Sequence, residues 1–479
     1  MNSANLARLL GDWRCEQSPG VSAALGSRLS LLIRDGRLPF GTRLPTEREF
    51  ARELGVSRTT VAGVYDLLRS SGQLESKQGS GTWVVSRGTH RDLEDPAPWY
   101  PGGSRRNLDL TQAALPAPSD VLPNLIERAA RESERYTGGH GYHLFGLPEL
   151  REAIARRFTT RGLPTHPGQV LVTTGAQNAL ALALAITLHP GSRVLTDHPT
   201  YPNALSAIRN WGGRCVPVDL EETGWNSEAW NKAAHHARPD LLYCMADFHN
   251  PTGLVMPHDV RGQLVEVARL CGSPLLVDEA LVETALGDEV PLPVGCFAGE
   301  GSVVISIGSL SKIFWGGLRV GWMRAPEAIV AKAAAFKASM DMATPVFDQL
   351  MAVGVFDELA ALIKLRRKAL RTARDELFSA VAATLPEWRA SLPDGGLSAW
   401  FDLGIPLASR LAEACGRAGV AITPGSLFGV DGSFEDHIRL PFTLDALALT
   451  MAVERIADIW TTVRSGAIDS ERLPPTIAV

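Results

Sequence analysis

Four polar side chains in the middle of the chain have complementary chemistry, and each lies at the end of an apolar run or the start of a loop. They are Lys312, Asp278, Asn250 and Tyr201. A lysine amine can form a Schiff base with an aldehyde, and a carboxylate can keep a pyridine nitrogen protonated. An amide can donate to a ring hydroxyl, and a tyrosine can stack on an aromatic ring. Together they meet the demands of pyridoxal 5′-phosphate, so the sequence predicts this cofactor with Lys312 as its Schiff-base lysine.

A second set of residues suits the dianionic phosphate of that cofactor. One segment joins a predicted strand to a predicted helix, where backbone N–H groups and the positive end of the helix favour an anion. Two serines just before Lys312 offer hydroxyl groups, and an arginine seven residues after it offers a guanidinium. The predicted phosphate residues are Gly175, Ala176, Gln177, Ser309, Ser311 and Arg319.

Each of these residues also has an ordinary structural explanation when it is taken alone. Asp278 can cap a helix or lie on the surface, and Tyr201 can simply pack in a core. The cofactor interpretation depends on the joint order of the complementary pieces along the chain, each at a strand end or a loop start.

The first 85 residues carry the pattern of a DNA-reading module. Thr46 and Glu49 form a capping box at the start of a short helix that Gly55 ends. The next helix begins at Ser57 with short polar and cationic residues, which suits a helix that enters the major groove, and two short strands around a glycine turn follow it. This pattern predicts a winged helix-turn-helix. The predicted DNA contacts are Arg48, Ser57, Arg58, Thr59, Thr60, Lys77, Gln78 and Gly79.

The remainder of the chain alternates strand-like apolar runs with helical ones. Buried apolar strands separated by helices predict a largely parallel sheet covered on both faces. The strand-like runs lie at 170–173, 193–196, 241–244, 274–278 and 303–306. After residue 350 come long helices, a strand at 397–401 and a further helix beyond Leu444, which predict a smaller α+β subdomain.

The pattern divides the chain into three parts. The predicted parts are a DNA-binding domain at 14–85, a linker at 86–118 that is rich in proline and glycine, and a cofactor-binding domain at 119–479. The last divides into a large subdomain at about 150–345 and a small one at about 350–479.

Charge and composition fit this division. Residues 1–87 hold 12 basic and 8 acidic residues, whereas the whole chain has a net charge of −5, so a basic head precedes an acidic body. Six scattered cysteines without close pairing argue against a disulfide framework and a structural zinc site, so no metal is expected. The absence of a signal-peptide pattern and of a membrane-length apolar run predicts a cytoplasmic protein with no membrane partner.

The head resembles the winged-helix domain of the GntR family of bacterial regulators, and the region from about 108 onward resembles the fold-type-I aminotransferases. The fusion of the two resembles the MocR subfamily of GntR regulators. This resemblance implies an α/β aminotransferase-like body that binds pyridoxal 5′-phosphate, with Lys312, Asp278, Asn250 and Tyr201 in the roles given above. It also implies that Arg439, in the segment Ile438-Arg439-Leu440-Pro441-Phe442, binds the carboxylate of an effector.

Two positions depart from the pattern of these families. Ala62 stands where many GntR relatives carry an arginine that reads a base, which gives Arg58 and the wing a larger share of DNA recognition. Aminotransferases place a tyrosine just after the strand-end aspartate, whereas here Asp278 is followed by Glu279-Ala280-Leu281-Val282. Loss of that donor weakens the case for efficient transamination without removing cofactor binding.

Three functions are compatible with these residues. The first is a dimeric transcription regulator that binds operator DNA and uses pyridoxal 5′-phosphate, alone or as an aldimine with an amine or amino acid, as its effector, so that no catalytic residue is assigned. The second is an aminotransferase with an accessory DNA-binding domain. The third is a regulator whose body has lost the cofactor and serves only to dimerise. The sequence favours the first.

Overall fold

The described residues of the N-terminal head form four helices and a small sheet. The structure is a computed structural model that describes residues 1–11, 13, 21–34, 37–38, 41–70, 73–77, 81–85 and 108–465. The strands of the head pair in the order β1-β3-β2, all antiparallel. Its elements are α1 (Ser3–Leu10), α2 (Val21–Arg34), β1 (Arg43–Leu44), α3 (Glu47–Leu54), α4 (Arg58–Ser70), β2 (Leu74–Lys77) and β3 (Gly81–Val84).

The winged helix-turn-helix is present as the sequence predicts. Thr46 and Glu49 form the capping box of α3, and Gly55 ends that helix in the left-handed region at φ +63°. The buried face of α4 packs on α2, and its Tyr65 hydroxyl donates to the backbone oxygen of Pro45 at 3.1 Å. The sequence patterns missed α1 and β1, which are short elements held by the head's core.

The body begins before the end of the predicted linker. Its elements up to the start of the small subdomain are β4 (Leu108–Leu110), α5 (Leu122–Ser133), α6 (Pro148–Thr160), β5 (Val170–Thr173), α7 (Ala176–Thr187), β6 (Arg193–His198), α8 (Pro202–Asn210), β7 (Arg214–Asp219), α9 (Ser227–Ala237), β8 (Leu241–Cys244), α10 (His258–Cys271), β9 (Leu275–Asp278), β10 (Val304–Ser309), β11 (Gly321–Arg324), α11 (Glu327–Lys337), α12 (Val346–Asp357) and α13 (Leu359–Thr384). The rest are β12 (Ser398–Asp402), α14 (Ala408–Arg417), β13 (Val420–Pro424), β14 (His437–Pro441) and α15 (Ala446–Arg464).

A seven-stranded sheet forms the centre of the large subdomain. Its strand order is β5-β11-β10-β9-β8-β6-β7, and β11 runs antiparallel to both of its neighbours while the other strands run parallel. Strands β5, β8, β9 and β10 are buried along their whole length because helices cover both faces. The polar residues that follow the carboxyl ends of these strands are therefore brought to one edge of the sheet.

The small subdomain is an α+β unit that includes a strand from the predicted linker. Its sheet has the order β12-β14-β13-β4, with β4 parallel to β13. Leu110 of β4 is fully buried in the same core as β13 and β14. The prediction of a linker reaching residue 118 is therefore wrong over its last part, because these apolar residues complete a sheet whose other strands lie 300 residues away.

Within the described parts of the chain, no helix is long and apolar enough to span a bilayer.

The capping box of α3 provides a test of the head. We expect Thr46→Ala to reduce the local stability of α3 by about 1 kcal/mol, because an orphan N–H at the helix start loses its acceptor. Hydrogen exchange of the α3 amides in the full chain measures this. Thr46→Ser keeps the acceptor and is the matched control, and equal exchange in the two variants contradicts the capping role.

Candidate cofactor site and nucleic-acid interface

The predicted cofactor residues meet at the carboxyl edge of the parallel strands. Tyr201 follows β6, Asn250 follows β8, Asp278 ends β9 and Lys312 follows β10. One cavity brings all four together. It is lined by Ala113, Ala114, Ala176, Gln177, Leu180, Tyr201, Met245, Asn250, Asp278, Ala280, Leu281, Ser309, Ser311, Lys312, Gly316, Arg319, Leu397 and Ser398.

Lys312 is positioned as a reactive amine. Burial, and after it the nearby Arg439, lowers the pKa of Lys312 from 10.5 to about 8, although Asp278 opposes the shift. Its Nζ donates to the backbone oxygen of Ala113 at 2.8 Å. A substantial share of this amine is therefore neutral near physiological pH, and a neutral amine is the form that attacks a carbonyl.

Asp278 is a carboxylate that lacks a full counter-charge. It is 5% exposed, and burial raises its pKa from 3.8 to about 6, although the backbone N–H of Ala280 donates to it at 2.9 Å. The Tyr243 hydroxyl lies 3.5 Å from its Oδ2 and is a partner that the sequence pattern did not identify. A protonated pyridine nitrogen beside Asp278 would supply the missing positive charge.

The amide of Asn250 is oriented by Arg439. Arg439 Nη1 donates to Asn250 Oδ1 at 3.2 Å, so the carbonyl side of the amide is occupied and its NH₂ group is left as a donor for the cavity. Tyr201 lies on another side of the cavity and accepts from Asn203 Nδ2 at 2.9 Å. Both side chains are thus held in place by neighbours, Arg439 and Asn203, that are not part of the cavity lining.

Two glycines shape a cradle suited to a phosphate group. Gly175 has φ +85° and precedes α7, whose N-terminal end has no side-chain cap. A Cβ on Gly175 would lie 2.8 Å from Arg319 Nη2, and a Cβ on Gly321 would lie 2.5 Å from the backbone of Gly175. Only residues without a side chain allow the guanidinium and the helix end to approach this closely.

The remaining predicted phosphate residues lie around this cradle. Ala176 and Gln177 form the first turn of α7, and their side chains line the cavity. The Ser309 hydroxyl contacts that of Ser311 at 2.7 Å and accepts from the Ser311 backbone N–H at 2.9 Å. The cavity therefore offers a buried amine, an uncompensated carboxylate, an amide donor and an anion cradle, and this donor set fits pyridoxal 5′-phosphate.

The departure after Asp278 places an apolar side chain in the cavity. Leu281 and Ala280 are part of the lining, and neither offers a hydroxyl to the ring. Glu279, which lies between Asp278 and Ala280, contacts other partners. Its carboxylate accepts hydrogen bonds from Arg161 Nη1 and from the Ser306 hydroxyl, each at 2.8 Å.

Sequence patterns also missed a backbone segment over the cavity. Besides the contact of Ala113 with Lys312, the backbone oxygen of Thr111 accepts from Arg439 Nη2. Main-chain oxygens carry no residue signature, so no pattern of residue types marks them. This segment continues directly from β4.

On the head, the first turn of α4 is open to solvent. Ser57, Arg58 and Thr59 are exposed, Thr60 is half-buried, and Arg48 on α3 is exposed. The Ser57 hydroxyl accepts from the Thr60 backbone N–H at 3.0 Å, so it caps α4 and orders this turn. The Arg58 side chain is 72% exposed and pairs only loosely, at 3.4 Å, with Glu47.

The wing is described only in part. Lys77 ends β2, but its side chain lies outside the described residues, as do Gln78 and Gly79. Their predicted contacts with DNA stay predictions.

Comparison with protein families matches both parts of the chain. Residues 107–456 match the family described as aminotransferase class I and II. Residues 22–84 match the family described as bacterial regulatory proteins, gntR family.

Two regulators and one solved enzyme illustrate the similarity. The HTH-type transcriptional regulator YisV of Bacillus subtilis is 26% identical over 92% of this chain and 94% of its own length. The probable rhizopine catabolism regulatory protein MocR of Rhizobium meliloti is 28% identical over 63% of this chain and 64% of its own length. The crystal structure of LysN, an α-aminoadipate aminotransferase from Thermus thermophilus, has a TM-score of 0.69 and 28% identity, covering 75% of this chain and 94% of the enzyme.

The burial of Asp278 predicts a conflict between stability and binding. Because its pKa is raised in the folded state, ionisation disfavours folding without cofactor by about 3 kcal/mol above pH 6, and this cost vanishes below pH 4. We expect Asp278→Asn to stabilise the cofactor-free protein at pH 7.5 and to weaken its binding of pyridoxal 5′-phosphate. Thermal unfolding with and without cofactor measures both effects.

The matched control is Asp219→Asn, which also changes a strand-end aspartate, but one whose side chain is 87% exposed. We expect it to alter stability by a few tenths of a kcal/mol at most. A cofactor-free Asp278→Asn protein less stable than the unchanged one contradicts the assignment.

The lowered pKa of Lys312 predicts a pH dependence of cofactor attachment. The rate at which the visible absorbance of bound pyridoxal 5′-phosphate appears should rise with pH, reach half of its maximum near pH 8 and level off about one unit higher, because the amine is half neutral at its pKa and almost wholly neutral above it. A rate that continues to rise toward pH 10 indicates an ordinary exposed lysine. Lys312→Ala should abolish covalent attachment, as measured by mass spectrometry after borohydride reduction.

Proposed function

The chain belongs to the aminotransferase class I and II family and carries a gntR-family domain at its N-terminus, as MocR-like regulators do, and we propose that it regulates transcription under the control of pyridoxal 5′-phosphate. The head binds operator DNA, and the body uses the aminotransferase scaffold to sense the cofactor, alone or with a primary amine. A transcription regulator of this kind acts in the cytoplasm.

One observation carries the proposal. The same chain holds an exposed, capped recognition turn at Ser57–Thr60 and a cavity that contains a buried lysine and a buried aspartate whose charge is only partly compensated. Such a pair is costly to bury without a bound partner, so its presence supports a site retained for binding. The open turn of α4 supports DNA reading by the same molecule.

Each residue of the cavity has a proposed role toward the cofactor. Lys312 attaches it, Asp278 holds a proton on its ring nitrogen, and Asn250 donates to its ring hydroxyl. Tyr201 stacks on the ring. The residues proposed to bind its phosphate are Gly175, Ala176, Gln177, Ser309, Ser311 and Arg319. When bound, the cofactor supplies an electrophilic carbon that can combine with a primary amine.

The effector proposed for this site is an amine with a carboxylate. Arg439 is buried, and its guanidinium contacts Asn250, which lines the cavity. Besides Asn250 Oδ1, Arg439 donates to a main-chain oxygen, that of Thr111, which a carboxylate can replace as a charged and stronger acceptor. An amino acid offers both groups at once.

Leu281 favours sensing over turnover. An aminotransferase must move protons and electrons on the ring many times per second, and a hydroxyl near the ring oxygen assists this. In this chain that position is apolar, so ring-hydroxyl stabilisation is left to Asn250. Binding needs only the charge and shape complementarity that the cavity retains.

The second candidate is an aminotransferase with an accessory DNA-binding domain. The retained lysine, aspartate and arginine favour it, as does the similarity to an α-aminoadipate aminotransferase. Sustained production of a keto acid from an amino acid, lost in Lys312→Ala, supports this candidate. A single spectral change without turnover supports sensing.

Footprinting of the protein's own promoter region tests the proposed function. Protection is compared without ligand, with pyridoxal 5′-phosphate, and with the cofactor plus each of a panel of amino acids, for the unchanged protein and for Lys312→Ala. We expect a ligand-dependent change in affinity or in the protected length that Lys312→Ala abolishes. Protection that is identical in every condition contradicts the sensing role. A protein that shows no absorbance with added cofactor supports a body that only dimerises.

The recognition turn provides a separate prediction. We expect Arg58→Ala to weaken specific operator binding by about tenfold, because one cationic contact in a groove is worth 1–3 kcal/mol, while the absorbance of bound cofactor stays unchanged. Gel-shift titration at fixed salt measures this. Arg8→Ala, which removes an exposed arginine of α1, is the matched control, and equal losses in both variants point to a nonspecific charge effect.

Operator recognition by this head is proposed to require two copies. Winged helices read paired half-sites whose spacing reflects the symmetry of a dimer. The footprint then spans two half-sites related by a dyad.

A further inference from the structure

The head contacts the body through an ion pair. Arg28 Nη1 on α2 lies 3.0 Å from Glu435 Oε1, in the loop 428–437 that precedes and enters β14. Arg37 Nη2 approaches the same carboxylate at 3.6 Å. The side chains of Arg28 and Glu435 are only 20% and 17% exposed, so the contact is partly screened from water.

Glu435 is fixed by the small subdomain. The Ser409 hydroxyl donates to its Oε1 at 2.8 Å and the Ser409 backbone N–H to its Oε2 at 3.2 Å, which joins it to the first turn of α14. Burial by itself raises the pKa of Glu435, but Arg28 and the Ser409 hydrogen bond outweigh burial and hold that pKa below its usual value. The carboxylate therefore stays ionised and firmly placed.

Arg28 is fixed by the head. Its Nε donates to the backbone oxygen of Leu10 at 2.9 Å, at the end of α1. The helix that carries it packs closely on the recognition helix: a Cβ on Gly26 would lie 3.5 Å from Leu67 and 3.9 Å from Val64 of α4. A shift of α2 therefore moves α4, because packed helices move as units.

The loop that carries Glu435 also reaches the cofactor cavity. The Phe428 backbone oxygen accepts from the backbone N–H of Thr200 at 2.9 Å, directly before Tyr201. The Arg439 guanidinium lies 5.2 Å from the centre of the Phe428 ring, a cation–π contact. Arg439 follows Glu435 by four residues, on the strand into which this loop leads. Groups on both sides of the cavity are thus tied to the loop.

We propose that loop 428–437 is the docking surface for the DNA-binding head, and that the Arg28–Glu435 pair passes the state of the cavity at Arg439 to the recognition helix. The docking half stands on the contacts alone, and the signalling half rests on the function proposed above. Replacing the Thr111 oxygen at Arg439 by a carboxylate changes the charge balance on β14 and on the loop. That change alters the attraction between Glu435 of the loop and Arg28 of the head, and so the docking of the head.

The charge pair has the properties that such a contact requires. Two partly buried charges attract each other more strongly than exposed ones, yet removal of one partner leaves the other desolvated and unpaired. The docked arrangement is therefore sensitive to small displacements of the loop. An apolar patch of the same area would tolerate them.

Docking is tested by charge reversal and rescue in the full chain loaded with pyridoxal 5′-phosphate. Arg28→Glu places a carboxylate against Glu435, and we expect the radius of gyration from small-angle X-ray scattering to increase as the head leaves the body. Adding Glu435→Lys restores an ion pair with its two charges exchanged and should return the radius of gyration toward the value of the unchanged protein. The rescue distinguishes undocking from damage to the head, which a change in the body cannot repair.

Docking is overturned if Arg28→Glu scatters as the unchanged protein does, or if the added Glu435→Lys fails to restore the compact form. Visible absorbance of the bound cofactor should be the same in every variant, because none of these side chains lines the cavity.

Signalling is tested with Glu435→Gln alone, which keeps an acceptor for Ser409. Affinity for the promoter fragment is measured with and without pyridoxal 5′-phosphate plus a mixture of the twenty L-amino acids. We expect the ratio of the two affinities to fall to within twofold of one. The matched control is Glu413→Gln, which removes a glutamate that pairs with Arg417 along α14, and its ratio should equal that of the unchanged protein.

The two proposals fail in distinguishable ways. If the unchanged protein binds cofactor but its affinity for DNA does not respond, the proposed function and the signalling half are both overturned, while scattering still decides the docking half. If the unchanged protein responds and Glu435→Gln responds equally, the proposed function stands and the signalling half is overturned.

Discussion

Burial of an amine and a carboxylate at one edge of a parallel sheet is the constraint on which the cavity depends. Asp278 ends β9 and Lys312 follows the neighbouring strand β10, and each is removed from water without a complete counter-charge. The sheet can bear this cost because β5, β8, β9 and β10 are buried along their whole length and contribute to a large apolar core. The rest of the cavity is arranged so that a bound molecule can supply the charges that the protein leaves unmatched.

The same arrangement explains how an aminotransferase scaffold can serve as a sensor. Binding uses charge and shape, which Lys312, Asp278 and the cradle at Gly175 retain, whereas turnover also needs repeated proton movement close to the ring. Leu281, which lines the cavity, offers no polar group to that neighbourhood. Arg439 then connects the cavity to the small subdomain, because it lies on β14 while contacting Asn250 from the large one. A molecule bound in the cavity would therefore interact with groups from both subdomains.

Much of this architecture could be predicted from the sequence. Strands β5 and β8 begin and end at the predicted residues, the capping box of α3 is formed, and all of the predicted cofactor and phosphate residues except Gly175 line one cavity. These features depend on local rules: apolar runs of strand length, caps, and polar residues at strand ends. The patterns missed β11, which is four residues long and ends in an arginine, because its place is fixed by pairing on both sides.

By itself, the sequence determined the two kinds of chemistry, the fold of each part and most of the residues that line the cavity, since residue type and spacing carry that information. Tertiary structure decided what depends on distant partners. It placed β4 in the small subdomain, brought the oxygens of Thr111 and Ala113 to Arg439 and Lys312, and set Arg28 against Glu435. Main-chain acceptors have no sequence signature, and an arginine and a glutamate 407 residues apart show no pattern until the chain is folded.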